Sequence, residues 1–310
     1  MRVVLWIMFA FSLVLATDLK LKLRLRTPAP VYDLAYHDHT LYACDAQGHI
    51  FAFSPTGKKI KSWQLPKRVD FYGEKNFQKA MTLTLSPSGK TIAVAGEDGR
   101  VYLIRNHQPT PTHFFTSSVI RRLAFVDENL LLVATISHEV SLIDLATQKT
   151  VKTTYLNTSP LSDMAISRER DLAATAGEAG VVILFNPRTL AIVGKLQGGN
   201  VDNIYKIDMQ AKYIVTAGQD RRVILYRPNR TYSRYDGSFL VYAAALSPDA
   251  KYIIAALDEE NRLYLIDTAS GKHITKKEGH SATLNRILFL DHHHIASCAD
   301  ENSILLWEIQ

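Results

Sequence analysis

Two short histidine-rich stretches hold the side chains best suited to metal chemistry. The stretch YHDHTLYAC spans residues 36–44, and the stretch LDHHHIASC spans residues 290–298. Imidazole and carboxylate groups at short range suit Zn²⁺, Cu²⁺ or Ni²⁺. If the two stretches meet in space, the predicted zinc or copper ligands are His37, His39, His292, His293 and His294, with Asp38 and Asp291 beside them. The alternative is that these are ordinary polar turns, which tolerate histidine.

A second group of candidates consists of charged residues inside short apolar segments, namely Arg121, Arg122, Asp163, Lys206 and Arg286. The group is mostly cationic and offers no acid–base pair for general acid–base catalysis. The sequence also lacks the G-x-S-x-G, P-loop, H-E-x-x-H and C-x-x-C-H motifs. We therefore predict that the chain is not an enzyme and has no catalytic residues. Arg121, Arg122 and Arg286 are interpreted as side chains that line a central channel of the fold and could bind an anion there.

A third stretch, PKRVDFYGEKNFQ at residues 66–78, mixes cationic and aromatic side chains. Lys67, Arg68, Phe71 and Tyr72 have the composition of many protein–protein interface hot spots. The stretch is predicted to dock a partner protein, although a plain long loop explains it equally well.

One sequence motif recurs seven times in the chain. The candidate residues must therefore be positioned by a repeating structural unit. Each copy has small residues, then a polar or acidic turn, then a β-rich strand, and successive copies lie 39 to 51 residues apart. The copies are ACDAQGHIFAF (43–53), VAGEDGRVYLI (94–104), VATISHEVSLI (133–143), TAGEAGVVILF (175–185), TAGQDRRVILY (216–226), ALDEENRLYLI (256–266) and SCADENSILLW (297–307). Such periods are typical of repeat architectures.

Each repeat predicts four short antiparallel strands with no helix between them. Turns such as LSPSGK (85–90) and LSPDAK (246–251) separate the strands. One such sheet cannot bury both of its faces, but seven sheets stacked around an axis can. The predicted fold is therefore an all-β, seven-bladed β-propeller.

The last repeat resembles those of the WD-repeat family. It reads GHSATLNRILFL (279–290) followed by ASCADENSILLW (296–307). The resemblance implies a structural hydrogen-bond chain through His280, Ser297, Glu301 and Trp307, with glutamate where the family usually has aspartate. In other repeats the turn acid survives, as Asp98, Asp220 and Glu260, but the histidine and tryptophan do not.

The stretch DLKLKLRLR at residues 18–26 alternates leucine with lysine or arginine. Alternation of this kind is typical of a half-buried strand, with Leu19, Leu21, Leu23 and Leu25 on one face. The last repeat has three strands and the leading strand has no local partner. We expect the leading strand to pair with the last blade and close the ring, so that residues 18–310 form a single domain.

The two cysteines, Cys44 and Cys298, hold equivalent positions in the first and last repeats. A disulfide requires Cα atoms roughly 4–7 Å apart, whereas neighbouring blades diverge away from the axis. Two buried free thiols are therefore predicted in preference to a bridge.

Residues 1–16, MRVVLWIMFAFSLVLA, have the pattern of a secretory signal peptide. An uncleaved anchor is the alternative. Export to the periplasm is expected, with no stable membrane insertion after cleavage. The formal net charge is only +6, so no nucleic-acid partner is predicted.

The predicted function is that of an exported, monomeric, non-enzymatic scaffold for protein–protein interactions. The overall form also resembles the NapL family, accessory proteins of the periplasmic nitrate reductase system. That resemblance implies an auxiliary role in maturation or assembly, with a reductase or cytochrome component as partner. The alternative is a periplasmic propeller that binds a metal, or that binds or hydrolyses a small molecule.

Overall fold

The structure is a computed structural model that describes residues 17–69, 71–105, 108–210 and 212–310. The predicted signal peptide, residues 1–16, lies outside the described residues. The described residues form strands and turns and no helix. Consequently none of them belongs to a helix that is long and apolar enough to cross a membrane.

Thirty strands lie in the described residues. Those before the third blade are β1 (Leu19–Arg26), β2 (Val31–His37), β3 (Thr40–Asp45), β4 (His49–Phe53), β5 (Lys59–Gln64), β6 (Arg68–Val69), β7 (Lys75–Asn76), β8 (Ala80–Leu85), β9 (Ile92–Gly96), β10 (Arg100–Ile104) and β11 (Thr110–Phe115). The middle strands are β12 (Ile120–Phe125), β13 (Leu130–Thr135), β14 (Glu139–Asp144), β15 (Lys149–Tyr155), β16 (Leu161–Ile166), β17 (Ala173–Gly177), β18 (Val182–Phe185) and β19 (Ile192–Leu196). The last are β20 (Ile204–Gln210), β21 (Tyr213–Gly218), β22 (Arg222–Tyr226), β23 (Tyr232–Asp236), β24 (Ala244–Leu246), β25 (Tyr252–Ala256), β26 (Leu263–Asp267), β27 (His273–Lys277), β28 (Leu284–Phe289), β29 (His294–Ala299) and β30 (Ser303–Ile309).

These strands form seven four-stranded antiparallel sheets, and the predicted seven-bladed propeller is confirmed. Blades 1 to 6 begin with β2, β8, β12, β16, β20 and β24, and blade 7 contains β28, β29, β30 and β1. The first strand of each blade is the innermost one, because it contacts the first strands of both neighbouring blades. Strands β6 and β7 form a separate two-stranded hairpin between blades 1 and 2.

The hydrophobic core lies between neighbouring blades. Strands such as β9 and β17 are buried along their whole length, because both of their faces pack against another blade. Their alanine-rich sequences follow from this, since close-packed sheets leave room only for small side chains near the axis. The fourth strands, such as β15, are mostly exposed.

The ring is closed by β1, as the sequence predicts. It pairs antiparallel with β30 from Leu19 opposite Ile309 to Arg26 opposite Ser303. The prediction that four leucines share one face is wrong, because a β-bulge falls between Leu21 and Leu23 and changes which face the following residues occupy.

The bulge distributes the leucines of β1 over both sides of blade 7. Leu19 is fully buried in the cluster shared with blade 6, and Leu25 is buried in the cluster shared with blade 1. Leu21 and Leu23, next to the bulge, remain 40% and 36% exposed. The closing strand therefore contacts both neighbouring blades.

Candidate functional site

A buried hydrogen-bond chain links the strands of blade 7. Trp307 Nε1 donates to Ser297 Oγ at 2.9 Å, and His280 Nε2 lies 2.8 Å from the same oxygen. His280 Nδ1 lies 2.9 Å from Glu301 Oε1. Burial lowers the pKa of His280 even though the Glu301 carboxylate favours its protonation. The chain fixes the loop before β28 against β29 and β30.

Glu301 is the most heavily bonded member of this chain. Burial on its own would raise its pKa, but hydrogen bonds from Ser303, Ser281 and His280 lower the pKa of Glu301 to about 2. Arg24 of β1 adds a further contact, since its Nη1 lies 3.1 Å from Glu301 Oε1. The closing strand is thereby tied to the hydrogen-bond chain.

Other blades build a similar link from different residues. In blade 5, Thr216 Oγ1 donates to Asn200 Oδ1 at 2.5 Å and Asn200 Nδ2 donates to Asp220 Oδ1 at 3.0 Å. Thr216 occupies the position in the repeat that Ser297 occupies in blade 7. Asn200 therefore replaces His280 as the residue between the hydroxyl and the turn acid.

Blade 4 receives its histidine from the preceding blade. His138, in the turn between β13 and β14, has its Nε2 2.9 Å from Thr175 Oγ1 and its Nδ1 2.8 Å from the Ser159 carbonyl oxygen. His138 is not among the residues predicted from the sequence, because it does not precede the first strand of blade 4 but lies between β13 and β14 of blade 3. The signal was Thr175, a buried hydroxyl at the position of Ser297.

Charged side chains meet in the central channel. Arg122 of blade 3 contacts Asp33 of blade 1, and Arg286 of blade 7 contacts Asp163 of blade 4. These blades are not neighbours in the ring, so the contacts cross the channel. A cavity of about 340 Å³ is lined by both Arg122 and Arg286, whereas Arg121 is exposed elsewhere and does not line it.

Asp33 is a channel residue that was not predicted from the sequence. Burial alone would raise its pKa, but the charges of Arg122 and Arg286 hold the pKa of Asp33 at about 2. Comparison of the third residue in every inner strand would have revealed it, since Asp33 and Asp163 are equivalent. The cationic lining is therefore largely neutralised by buried carboxylates.

The stretch at 66–78 forms a projecting hairpin made of β6 and β7. At its tip Phe71 is 97% exposed and Tyr72 is 87% exposed, and their rings meet edge to face with centroids 5.6 Å apart. At its base Lys67 Nζ lies 4.4 Å from the centroid of the Phe77 ring. All four predicted partner-binding residues, Lys67, Arg68, Phe71 and Tyr72, are exposed on this hairpin.

Comparison with known proteins gives a match to WD-repeat proteins over part of the chain. No family model matches the chain. Over 71 residues it is 37% identical to DDB1- and CUL4-associated factor 10 of Xenopus tropicalis and of Homo sapiens, and 35% identical to the same protein of Danio rerio. These relatives are WD-repeat proteins. The match covers 23% of this chain, and the chain spans only 15%, 12% and 14% of those relatives.

The chain is a WD-repeat-like seven-bladed β-propeller. The matched stretch supports the WD-repeat family but gives no support to the NapL family.

The two histidine-rich stretches of this WD-repeat-like propeller, residues 36–44 and 290–298, contact different residues. His37 Nε2 lies 2.9 Å from the Pro87 carbonyl oxygen of blade 2, whereas His292 Nδ1 lies 3.6 Å from Asp249 of blade 6. His294 Nδ1 lies 2.8 Å from Asp291 within its own turn. In the part of the chain that the structure describes, no three His, Cys, Asp or Glu residues form a group that could hold a metal ion.

The remaining two predicted ligands do not complete such a group. His39 lines a cleft of about 490 Å³ between blades 7 and 1, together with His294 and Asp291. His293 is exposed at the turn. Metal binding by the histidine turns stays a prediction from the sequence.

Both cysteines of the propeller are buried free thiols, as predicted. Cys44 pairs across the sheet with Asp33, and Cys298 pairs with Arg286. Burial raises the pKa of both thiols. Each cysteine is therefore a small core residue behind a charged channel residue.

Proposed function

We propose that this chain is an exported, non-enzymatic scaffold that captures a protein partner with the hairpin at 66–78. The observation that carries the proposal is the pair of exposed aromatic rings, Phe71 and Tyr72, at the hairpin tip. A large exposed aromatic surface is costly in water unless a partner covers it. The rest of the molecule supplies a rigid frame for this element.

The hairpin favours a partner with an apolar pocket and an acidic rim. Its rings would fill the pocket, as buried aromatic anchors do at interface hot spots. Lys67 and Arg68, nearer the base of the same hairpin, would meet negative charge at the rim, which mainly accelerates association.

The narrower role that we propose is assembly or maturation of the periplasmic nitrate reductase system, with a reductase or cytochrome component as partner. Support comes from the signal-like residues 1–16 and from the resemblance in overall form to the NapL family. The association with DDB1 and CUL4 in the names of the matched relatives belongs to those proteins, because the matched stretch covers only 23% of this chain.

A pull-down from periplasmic extract tests both the capture of a partner by the hairpin and the narrower role in assembly. The tagged propeller should retain a partner identified by mass spectrometry, and Phe71→Ala with Tyr72→Ala should abolish its retention without lowering the melting temperature. The matched control is Val151→Ala with Tyr155→Ala, which removes exposed apolar groups from β15 and should leave capture intact.

The outcomes distinguish the general scaffold role from the assembly role. A reductase or cytochrome component that is lost with the hairpin variant supports the assembly role. A different protein lost in the same way supports the scaffold and contradicts the assembly role. Equal capture by the hairpin variant and the control would refute the docking hairpin.

A further inference from the structure

The cavity of about 340 Å³ in the central channel, here called the channel cavity, opens where the inner strands end. Its lining includes Ile166 and Gln210, the last residues of β16 and β20, and the turn that follows β16. Four arginines line it, namely Arg122, Arg168, Arg170 and Arg286. Asp208 is the one acid among the described residues of the lining. The volume falls within the range of roughly 300–1,000 Å³ that is usual for small-molecule sites.

At the inner end of the channel cavity, Arg122 and Arg286 share two buried carboxylates. Arg122 Nη1 donates to Asp33 Oδ2 at 2.5 Å, and its Nε lies 3.1 Å from Asp163 Oδ1. The contacts of Arg286 are longer, since its Nη1 lies 3.4 Å from Asp163 Oδ2 and its Nε lies 3.9 Å from Asp33 Oδ1. Arg122 therefore takes the stronger contacts with both carboxylates.

Arg286 keeps hydrogen-bonding capacity that no described residue uses. Its 3.4 Å contact is long for a charge-assisted hydrogen bond, and its buried Nε has no hydrogen-bond partner among the described residues. Its Nη2 has no such partner either and, unlike Nε, is open to solvent. Arg286 therefore offers Nη2 as a donor to an anion.

The outer end of the channel cavity lies at the turn between β16 and β17. Arg168 is exposed there and makes no hydrogen bond or ion pair with any residue that the structure describes. Arg170 is held in place, because its Nη1 donates to the Phe125 carbonyl oxygen and its backbone N–H donates to the Ser167 carbonyl oxygen at 2.9 Å. Two guanidinium groups thus stand at the entrance, and neither forms an ion pair within the described chain.

The site carries a net positive charge even when every nearby buried acid is counted as ionised. Arginine stays protonated in proteins, so the lining contributes four positive charges. Asp208 of the lining, with Asp33 and Asp163 behind it, contributes three negative charges. Both oxygens of Asp208 already accept backbone N–H groups, from Met209 at 2.9 Å and from Leu246 at 3.0 Å. One positive charge is left over at the cavity.

The acids that interact with Arg170 at longer range, Asp127 and Glu128, do not line the channel cavity. Asp127 pairs with Arg188 at 2.7 Å, and Glu128 accepts hydrogen bonds from the N–H and the hydroxyl of Ser88 at 2.6 and 2.8 Å. Glu169, in the same turn as Arg170, is exposed and also lies outside the lining. These carboxylates therefore leave the entrance open to an anion.

The two ends of the channel cavity are separated along the channel. Arg286 lies level with Asp163, the third residue of β16, whereas Arg168 follows the end of that strand at Ile166. Three residues of a strand span about 10 Å. A ligand with two anionic groups can therefore contact both ends at once.

We propose that the channel cavity binds one compact polyanion whose oxyanion groups lie at its two ends. One group accepts hydrogen bonds from Arg286, and the other binds Arg168 and Arg170. Carboxylate and phosphate share this chemistry, because both match the planar donor fork of a guanidinium group.

The site is independent of the hairpin at 66–78. The hairpin precedes the start of β8, whereas Arg168 and Arg170 follow the end of β16. Inner strands run through the channel in the same direction, so the two features lie on opposite faces of the propeller. Loss of anion binding and loss of partner capture can therefore be observed separately.

Citrate and pyrophosphate are the probes of the channel cavity. Calorimetric titration of the wild-type propeller at constant ionic strength should give saturable binding of one anion per chain. Arg168→Gln should weaken that binding at least about tenfold, as expected for the loss of a charge-assisted hydrogen bond, without changing the melting temperature. Arg121→Gln is the matched control, because it removes the same charge from an exposed position that does not line the cavity. It should bind like wild type.

Gln210→Glu provides a second, nearly isosteric test, since it adds a negative charge to the lining and should also weaken binding about tenfold. Saturation by citrate alone would identify a carboxylate ligand, and saturation by pyrophosphate alone a phosphate ligand. Binding that Arg168→Gln and Gln210→Glu weaken and Arg121→Gln does not supports the site. Absence of saturable binding of either anion, or equal losses in Arg168→Gln and Arg121→Gln, would overturn it.

Discussion

Arg24 and Glu301 are separated by 277 positions in the chain, yet Arg24 Nη1 lies 3.1 Å from Glu301 Oε1. Arg24 belongs to the closing strand β1, and Glu301 belongs to the buried hydrogen-bond chain of blade 7. Closure of the ring and the WD-type hydrogen-bond chain therefore share one carboxylate. A change at Glu301 should affect both.

The first prediction concerns the pH dependence of stability through Glu301. Its pKa falls from the usual 4.5 to about 2 in the folded protein, so its contribution is complete above pH 4.5 and disappears as the pH falls through about 2. The pKa shift corresponds to a contribution on the order of 3 kcal/mol at neutral pH. Glu301→Gln should lower the free energy of unfolding at pH 7 by up to about that amount.

Denaturant unfolding at a series of pH values checks this prediction. The difference between wild type and Glu301→Gln should shrink steadily between pH 4.5 and 2. Asp300→Asn, which changes the exposed acid next in sequence, is the control and should leave the curve close to wild type. A difference that stays constant with pH would contradict the assigned role of the carboxylate.

The second prediction concerns the leucines of β1. Leu19 is fully buried against blade 6, whereas Leu21, two residues along the same strand, is 40% exposed beside the bulge. Leu19→Ala should destabilise the propeller by about 2–4 kcal/mol because it leaves a core cavity. Leu21→Ala should cost less than about 1 kcal/mol.

Thermal and urea unfolding of the two variants provides the comparison, since both remove the same atoms from the same strand. Equal destabilisation by Leu19→Ala and Leu21→Ala would mean that the bulge does not place them differently. In that case the simple alternation expected from the sequence would apply.

This contrast shows what sequence alone could predict about the closing strand. The pairing of β1 with β30 follows from a last repeat one strand short and a leading strand without a partner. The bulge does not follow, because alternation of leucine with lysine and arginine is compatible with either register on each side of Lys22. Only the packing against blades 6 and 1 fixes it.

The pairing of charged residues in the channel could not be predicted from the sequence either. Arg122 and Arg286 were recognised as charged residues in apolar strands, but their pairing with Asp33 and Asp163 crosses between blades that are not adjacent. A period in the sequence specifies equivalent positions and not the side-chain directions that decide which of them meet. Arg121 illustrates this, since it lies in the bulge between Ile120 and Arg122 and is exposed, whereas Arg122 is buried.

The last prediction concerns His138, which joins blade 3 to blade 4. Its ring is buried between Thr175 Oγ1 and the Ser159 carbonyl oxygen. His138→Ala should destabilise the propeller by about 2–4 kcal/mol, because it opens a cavity and leaves the buried Thr175 hydroxyl without its partner. His113→Ala, at an exposed position on β11, should change the free energy of unfolding by less than about 0.5 kcal/mol.

A double-mutant cycle with Thr175→Val separates the hydrogen bond from the cavity. Thr175→Val removes the hydroxyl at nearly constant volume, so it should cost less in the His138→Ala background than in wild type. The two residues should therefore couple by about 1 kcal/mol, which is the usual size for a directly bonded pair. Strictly additive effects would show that His138 stabilises the blade interface by packing alone.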